Sequence, residues 1–222
     1  MDLGYNGLTT RHTTLQEDIF KSVKYGFKAI ELRDYKIETY LKDFTLNDLD
    51  KMFRTAEIRP IAINSIEINE EAFCNSDMLL EKFTWMLNIA NIIKCPYIVV
   101  APMNNVNNIN GKRIRQNLVK IFREMSDTCS QYNNIKIGLE YIGSPKAMEK
   151  TLDEALELLS AIKKDNIGLV IDTFAFYANN SRASDIRRIK ADDLLLVHLN
   201  DSNSLRGDAV LQESNRIFPG DG

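Results

Sequence analysis

Three short apolar runs, each closing on a side chain able to hold a metal ion, constrain this chain more than any other feature. Lys136-Ile-Gly-Leu-Glu140 ends in a carboxylate, Ile167-Gly-Leu-Val-Ile-Asp172 in a second carboxylate, and Leu194-Leu-Leu-Val-His198 in an imidazole. Their leucine and β-branched content reads as strand covered on both faces. A helical segment from Thr151 to Lys163 separates the first two runs, and a shorter one near Ser184 to Lys190 separates the last two. Strand, helix, strand at that spacing specifies parallel βαβ units. Parallel neighbours place their C-terminal ends on one face, so Glu140, Asp172 and His198 are expected to converge.

The same alternation runs through the rest of the chain. Leu3 to Leu8, Phe27 to Arg33, Arg59 to Ile66 and Pro96 to Ala101 read as four earlier strands. Thr14-Leu-Gln-Glu17 and Thr151-Leu-Asp-Glu154 are capping boxes, in which hydroxyl and carboxylate satisfy the first free amides of a helix. Ile19, Val23 and Phe27 follow the first box at helical spacing; further helices are predicted from Thr45 to Glu57, Ser76 to Lys94 and Gly111 to Tyr132. Met103 to Asn110, rich in Asn and aperiodic, reads as a loop at the ligand-bearing end.

Seven strands alternating with helices predict a single-domain (β/α)8 TIM barrel over residues 1–222. An open doubly wound sheet is the other arrangement, but no Gly-x-Gly-x-x-Gly or Walker-type loop follows any strand. A complete barrel takes about 250 residues, whereas this chain ends at Gly222, just after the seventh strand. The expectation is therefore a barrel lacking its eighth strand and last helix, shortened from a longer chain.

Composition narrows the partners. A net charge of -3 without a basic cluster offers no footprint for nucleic acid. No apolar run approaches membrane-spanning length, and the first residues carry no signal-peptide pattern. Cys74, Cys95 and Cys129 are unpatterned, so a cytoplasmic protein without disulfides is expected. Sugar or polyol substrates remain open, and so does the oligomeric state.

Ile30-Glu-Leu-Arg33, Tyr40-Leu-Lys-Asp43, Leu139-Glu-Tyr-Ile-Gly143, Gly168 to Phe174, His198-Leu-Asn-Asp201 and Arg216 to Gly222 appear in an order that resembles the xylose isomerase-like barrel family of sugar isomerases and epimerases. The likeness leans toward its members that act on keto-inositols. It implies one divalent metal held by Glu, Asp, His and a final Glu. The first three fall on Glu140, Asp172 and His198, and the fourth lies beyond Gly222. Where the family often has His, three residues after the Asp, this chain has Ala175.

Two carboxylates and an imidazole suit Zn, Mn or Co better than Ca. The implied activity is a divalent-metal-dependent isomerase or epimerase acting on a keto-inositol or related ketose, by proton transfer through an enediolate with Glu140 as acid and base. The likeness assigns Arg216 to substrate oxygens. Asp201, Asn6 and Asn64 are further substrate-binding candidates from their positions near strand ends. Glu31 faces either the barrel or solvent, His12 has no assigned role, and Phe174, Phe176 and Tyr177 read as packing residues. A non-catalytic remnant that binds a metabolite or partner is the alternative. An apurinic endonuclease-type enzyme fits poorly with only two His.

Overall fold

The computed structural model describes residues 2–69, 76–102, 111–143, 147, 149–204 and 211–222. The Met103 to Asn110 segment, read above as a loop, lies outside them. Seven parallel strands form one sheet in chain order: β1 (Gly4–Asn6), β2 (Ala29–Arg33), β3 (Arg59–Glu67), β4 (Tyr97–Ala101), β5 (Lys136–Glu140), β6 (Ile167–Asp172) and β7 (Leu194–His198). Each strand pairs with the next, so every crossover returns to the adjacent position. That is the winding of a TIM barrel, here seven strands of a curled sheet. Among the described residues, no strand covers the outer edge of β1 or β7.

Between the strands lie α1 (Leu15–Lys24), α2 (Asp34–Tyr40), α3 (Leu46–Ala56), α4 (Ser76–Ile93), α5 (Gly111–Cys129), α6 (Leu152–Ile162) and α7 (Thr173–Ala178). Both predicted capping boxes form, and Thr45 with Asp48 makes a third. Two helices were not foreseen. α7 starts directly at a strand end because Asp172 Oδ1 accepts the amides of Phe174 and Ala175, and α2 starts with no side-chain cap at all. The Ser184 to Lys190 segment is a 3-10 turn, Ala183–Arg188, too short to cover β7 as an α-helix would. Val23, expected inward, is 49% exposed. The buried stripe of α1 runs through Leu15, Asp18, Ile19 and Ser22 instead, leaving Val23 at its margin.

The main core lies between sheet and helices and includes Ile30, Ile63, Phe83, Phe122, Leu139 and Leu169. Inside the curl sits a smaller plug of Ala62, Val99 and Val170, flanked by Tyr97 and Leu196. Gly138 makes room for it: a Cβ there would lie 2.6 Å from Val170 Cγ2. Because side chains alternate along a strand, two residues beyond Ala62, Gly138, Val170 and Leu196 come Asn64, Glu140, Asp172 and His198. The apolar plug is the floor, and the polar layer above it is the site.

Candidate metal and substrate site

His198 is the centre of that layer. Its Nδ1 lies 2.8 Å from Glu140 Oε1 and its Nε2 lies 2.6 Å from Glu31 Oε2. Glu31 is fully enclosed and held from two sides, since Asn6 and Asn64 each donate an amide N–H to its Oε1 at 2.9 Å. The side chain of Asp172 accepts four groups: the Phe174 and Ala175 amides, Asn200 Nδ2 at 3.2 Å, and Arg216 Nη1 at 2.7 and 2.9 Å. Arg216 also lies over the Phe174 ring, 4.4 Å from its centre. Its strand, Arg216–Ile217, pairs with Asp201–Ser202 as a small hairpin beside the sheet.

Burial alone works against charge on His198, yet Glu31 and Glu140 together hold its pKa well above the ordinary imidazole value. Burial likewise opposes charge on Glu31, and the His198 cation, with the Asn64 amide, holds its carboxyl below the usual range. Among the hydrogen-bonded groups of the layer, three carboxylates meet one guanidinium and one imidazole.

One ligand atom from each of Glu140, Asp172 and His198 lies within 4.8 Å of the others. Donors around one Zn-sized ion at ~2.0–2.2 Å sit about 3 Å apart, so small shifts bring this set into a coordination sphere. Oxygen and nitrogen donors of this kind fit a divalent cation. Glu31 on the far nitrogen of His198 supplies the carboxylate–histidine pairing common at such centres.

The structure brings the three strand-end candidates together and adds Arg216. Asn6 and Asn64, expected to face substrate, spend their amides on Glu31. Asp201 Oδ2 accepts the Gly220 amide within its own hairpin region. Ala175 is buried against Gly143: a Cβ on Gly143, whose φ is +73°, would lie 2.9 Å from Ala175 Cβ. Glu31 is the member that sequence reasoning left undecided. Its signal was the apolar run Ala29 to Leu32 around a lone carboxylate, which marks an inward-facing charge once the strand is known to be buried on both sides.

The xylose isomerase-like TIM barrel family model matches residues 20–222. The chain belongs to that family. An inosose isomerase of Halalkalibacterium halodurans is 32% identical over 225 residues, covering 100% of this chain and 79% of that protein. An inosose isomerase of Bacillus subtilis is 29% identical over 225 residues, covering 100% and 80%. Among solved structures, the IolI protein with a bound zinc atom superposes with a TM-score of 0.92 at 29% identity, over 100% of this chain and 80% of that one. No helix among the described residues is long and apolar enough to cross a membrane.

Proposed function

We propose that this protein is a metal-assisted sugar isomerase that moves a proton between adjacent carbons of an inosose or related 2-hydroxy ketone. The convergence of Glu140, Asp172 and His198 at one strand-end face carries this reading. Similarity over the whole chain to proteins named inosose isomerase, and to a neighbour with bound zinc, supports it.

Glu140, Asp172 and His198 are the residues that would hold the ion, with Zn, Mn and Co as the candidates. A divalent ion there supplies Lewis-acid polarisation of a carbonyl oxygen. The protein's own groups do the rest. Glu31, fixed by Asn6 and Asn64, locks the ring of His198 so that Nδ1 faces Glu140. Asp172 is held in place by two amides and Arg216. Glu140 Oε1 is engaged by His198 while no described group engages Oε2, which leaves that oxygen to take the proton from the hydroxyl-bearing carbon and return it to the former carbonyl carbon, the hydroxyl proton passing to the former carbonyl oxygen. Arg216, stacked on Phe174, orients substrate oxygens beside Asp172.

The test pairs elemental analysis with solvent-deuterium incorporation into an inosose. Wild type is expected to hold about one equivalent of Zn or Mn and to exchange the proton. His198→Ala should lose the ion, and Glu140→Gln should lower exchange by at least ~10²-fold. Exchange that persists in Glu140→Gln sinks its assigned role. One bound ion with no exchange in wild type makes the protein a metabolite binder instead.

A further inference from the structure

Arg33 carries a guanidinium whose buried Nε has no hydrogen-bond partner. It closes β2 with an extended backbone, φ -96° and ψ 130°. The alternation that turns Glu31 into the barrel therefore continues to Arg33, one step nearer the mouth. In register Arg33 stands beside Asn64, the residue whose amide holds Glu31. Gly7, just past β1, borders it from the other side: a Cβ there would lie 3.5 Å from Arg33 Cγ.

Among the described residues, nothing takes up its donors. Arg33 Nε is buried without an acceptor, and the guanidinium makes no hydrogen bond or ion pair with a described residue. Neighbouring cations are matched, Lys36 with Asp18, Lys82 with Asp34 and Arg216 with Asp172. Asp34 is next to Arg33 in sequence, yet its carboxylate goes to Lys82 at 2.5 Å. A buried guanidinium N–H without an acceptor is a standing cost, which a ligand oxygen would remove.

The chemistry of that ligand follows from the surroundings. A planar fork spans two adjacent oxygens, which an ammonium cannot do. Glu31 stands two residues before Arg33 on the same face of β2. So near an anion, Arg33 has little net field for a phosphate dianion and suits neutral hydroxyls. We infer that Arg33 is a substrate-binding residue, gripping two vicinal oxygens of a neutral polyol or ketose at the barrel mouth, above Glu31 and Asn64. The identity of the ligand rests on the isomerase reading given above; the binding role does not need turnover.

The experiment compares wild type, Arg33→Gln and Arg33→Lys, all loaded with zinc. It measures zinc content, melting temperature, inosose affinity by calorimetry, and KM and kcat for solvent exchange. Zinc content and melting should not change. Arg33→Gln should weaken inosose affinity and raise KM roughly tenfold, equivalent to about 1.4 kcal/mol, with kcat within about threefold. Arg33→Lys should recover only part of the affinity, because it keeps the charge and loses the fork. Inosose affinity within about twofold of wild type in both variants overturns the inference, as does wild type that binds no inosose. Loss of zinc in Arg33→Gln overturns it too, in favour of support for Glu31. Millimolar inorganic phosphate competing with inosose overturns the neutral-hydroxyl assignment. Wild type that binds inosose without exchange sinks the isomerase reading alone, and the affinity loss in Arg33→Gln then still carries the binding role.

Discussion

Two polar networks are buried in this barrel, and they differ in how their charges are paired. The first joins Lys36 to Asp18. Lys36 Nζ donates to Asp18 Oδ2 at 2.6 Å and to the carbonyls of Gly7 and Thr10 at 2.9 and 2.7 Å. Asp18 Oδ1 takes the hydroxyls of Thr10 and Thr13 at 2.7 and 2.5 Å. One cation meets one anion, and both side chains are at most 3% exposed. The second network, around His198, gathers Glu31, Glu140 and Asp172 with only His198 and Arg216 bonded to them. A closed network pins a loop, whereas an open one with more carboxylates than bonded cations invites a cation. Burial of polar groups is common to both, so the pairing of charges is what marks the functional site.

Breaking the closed network should have the largest effect on stability. Lys36→Met leaves Asp18 buried without its cation, and a loss of about 3–5 kcal/mol is expected in urea denaturation. Adding Asp18→Leu should recover much of it; a single variant as stable as wild type would show that the pair contributes nothing. Overpacking the open network should cost less. Ala175→His pushes an imidazole against Gly143 and should destabilise by about 1–3 kcal/mol, and an unchanged melt would mean that the loop after β5 yields freely.

Loosening the open network without removing a ligand is gentler. Asn64→Ala takes one amide from Glu31 and should weaken zinc affinity by about tenfold, near the lower end for such supporting groups, with less effect on folding than Lys36→Met. Competition with a chelator measures this, and zinc affinity equal to wild type would remove Glu31 from the metal-holding apparatus.

Glu149 gives the smallest and sharpest contrast. Its side chain is enclosed, one oxygen has no partner, and burial pushes its pKa from the ordinary 4.5 up to about 7 although Arg115 opposes the shift. A carboxyl raised in the folded state binds its proton more tightly there. Its contribution is therefore full below pH 4.5 and is lost as pH rises through about 7. Glu149→Gln should flatten the stability profile across that window, by on the order of 1 kcal/mol, and leave zinc content alone. A profile identical to wild type would show that Glu149 is hydrated in solution.

Most of the framework was legible from local pattern. Apolar runs ending in Glu140, Asp172 and His198 announced buried parallel strands, and the capping boxes at Thr14 and Thr151 fixed two helix starts. The misses share a cause. α7 is set by Asp172 acting as ligand candidate and helix cap together, and one residue type cannot announce both. Val23 obeyed helical spacing but lay off the buried stripe. Glu31 was ambiguous because its hydrogen bond to His198 spans 167 positions, and no window of sequence contains both partners.

The sequence by itself determined where β5, β6 and β7 end and that a side chain able to hold a metal ion stands at each of those ends, because side-chain alternation and burial act over a few residues. Only the tertiary structure decided what those side chains do to one another. Curling of the sheet carries β1, β2 and β3 across to face β7, so that Asn6 and Asn64 serve Glu31, Glu31 serves His198, and Arg33 Nε is left without an acceptor. Contacts across a barrel depend on closure of the whole sheet, which no local pattern records.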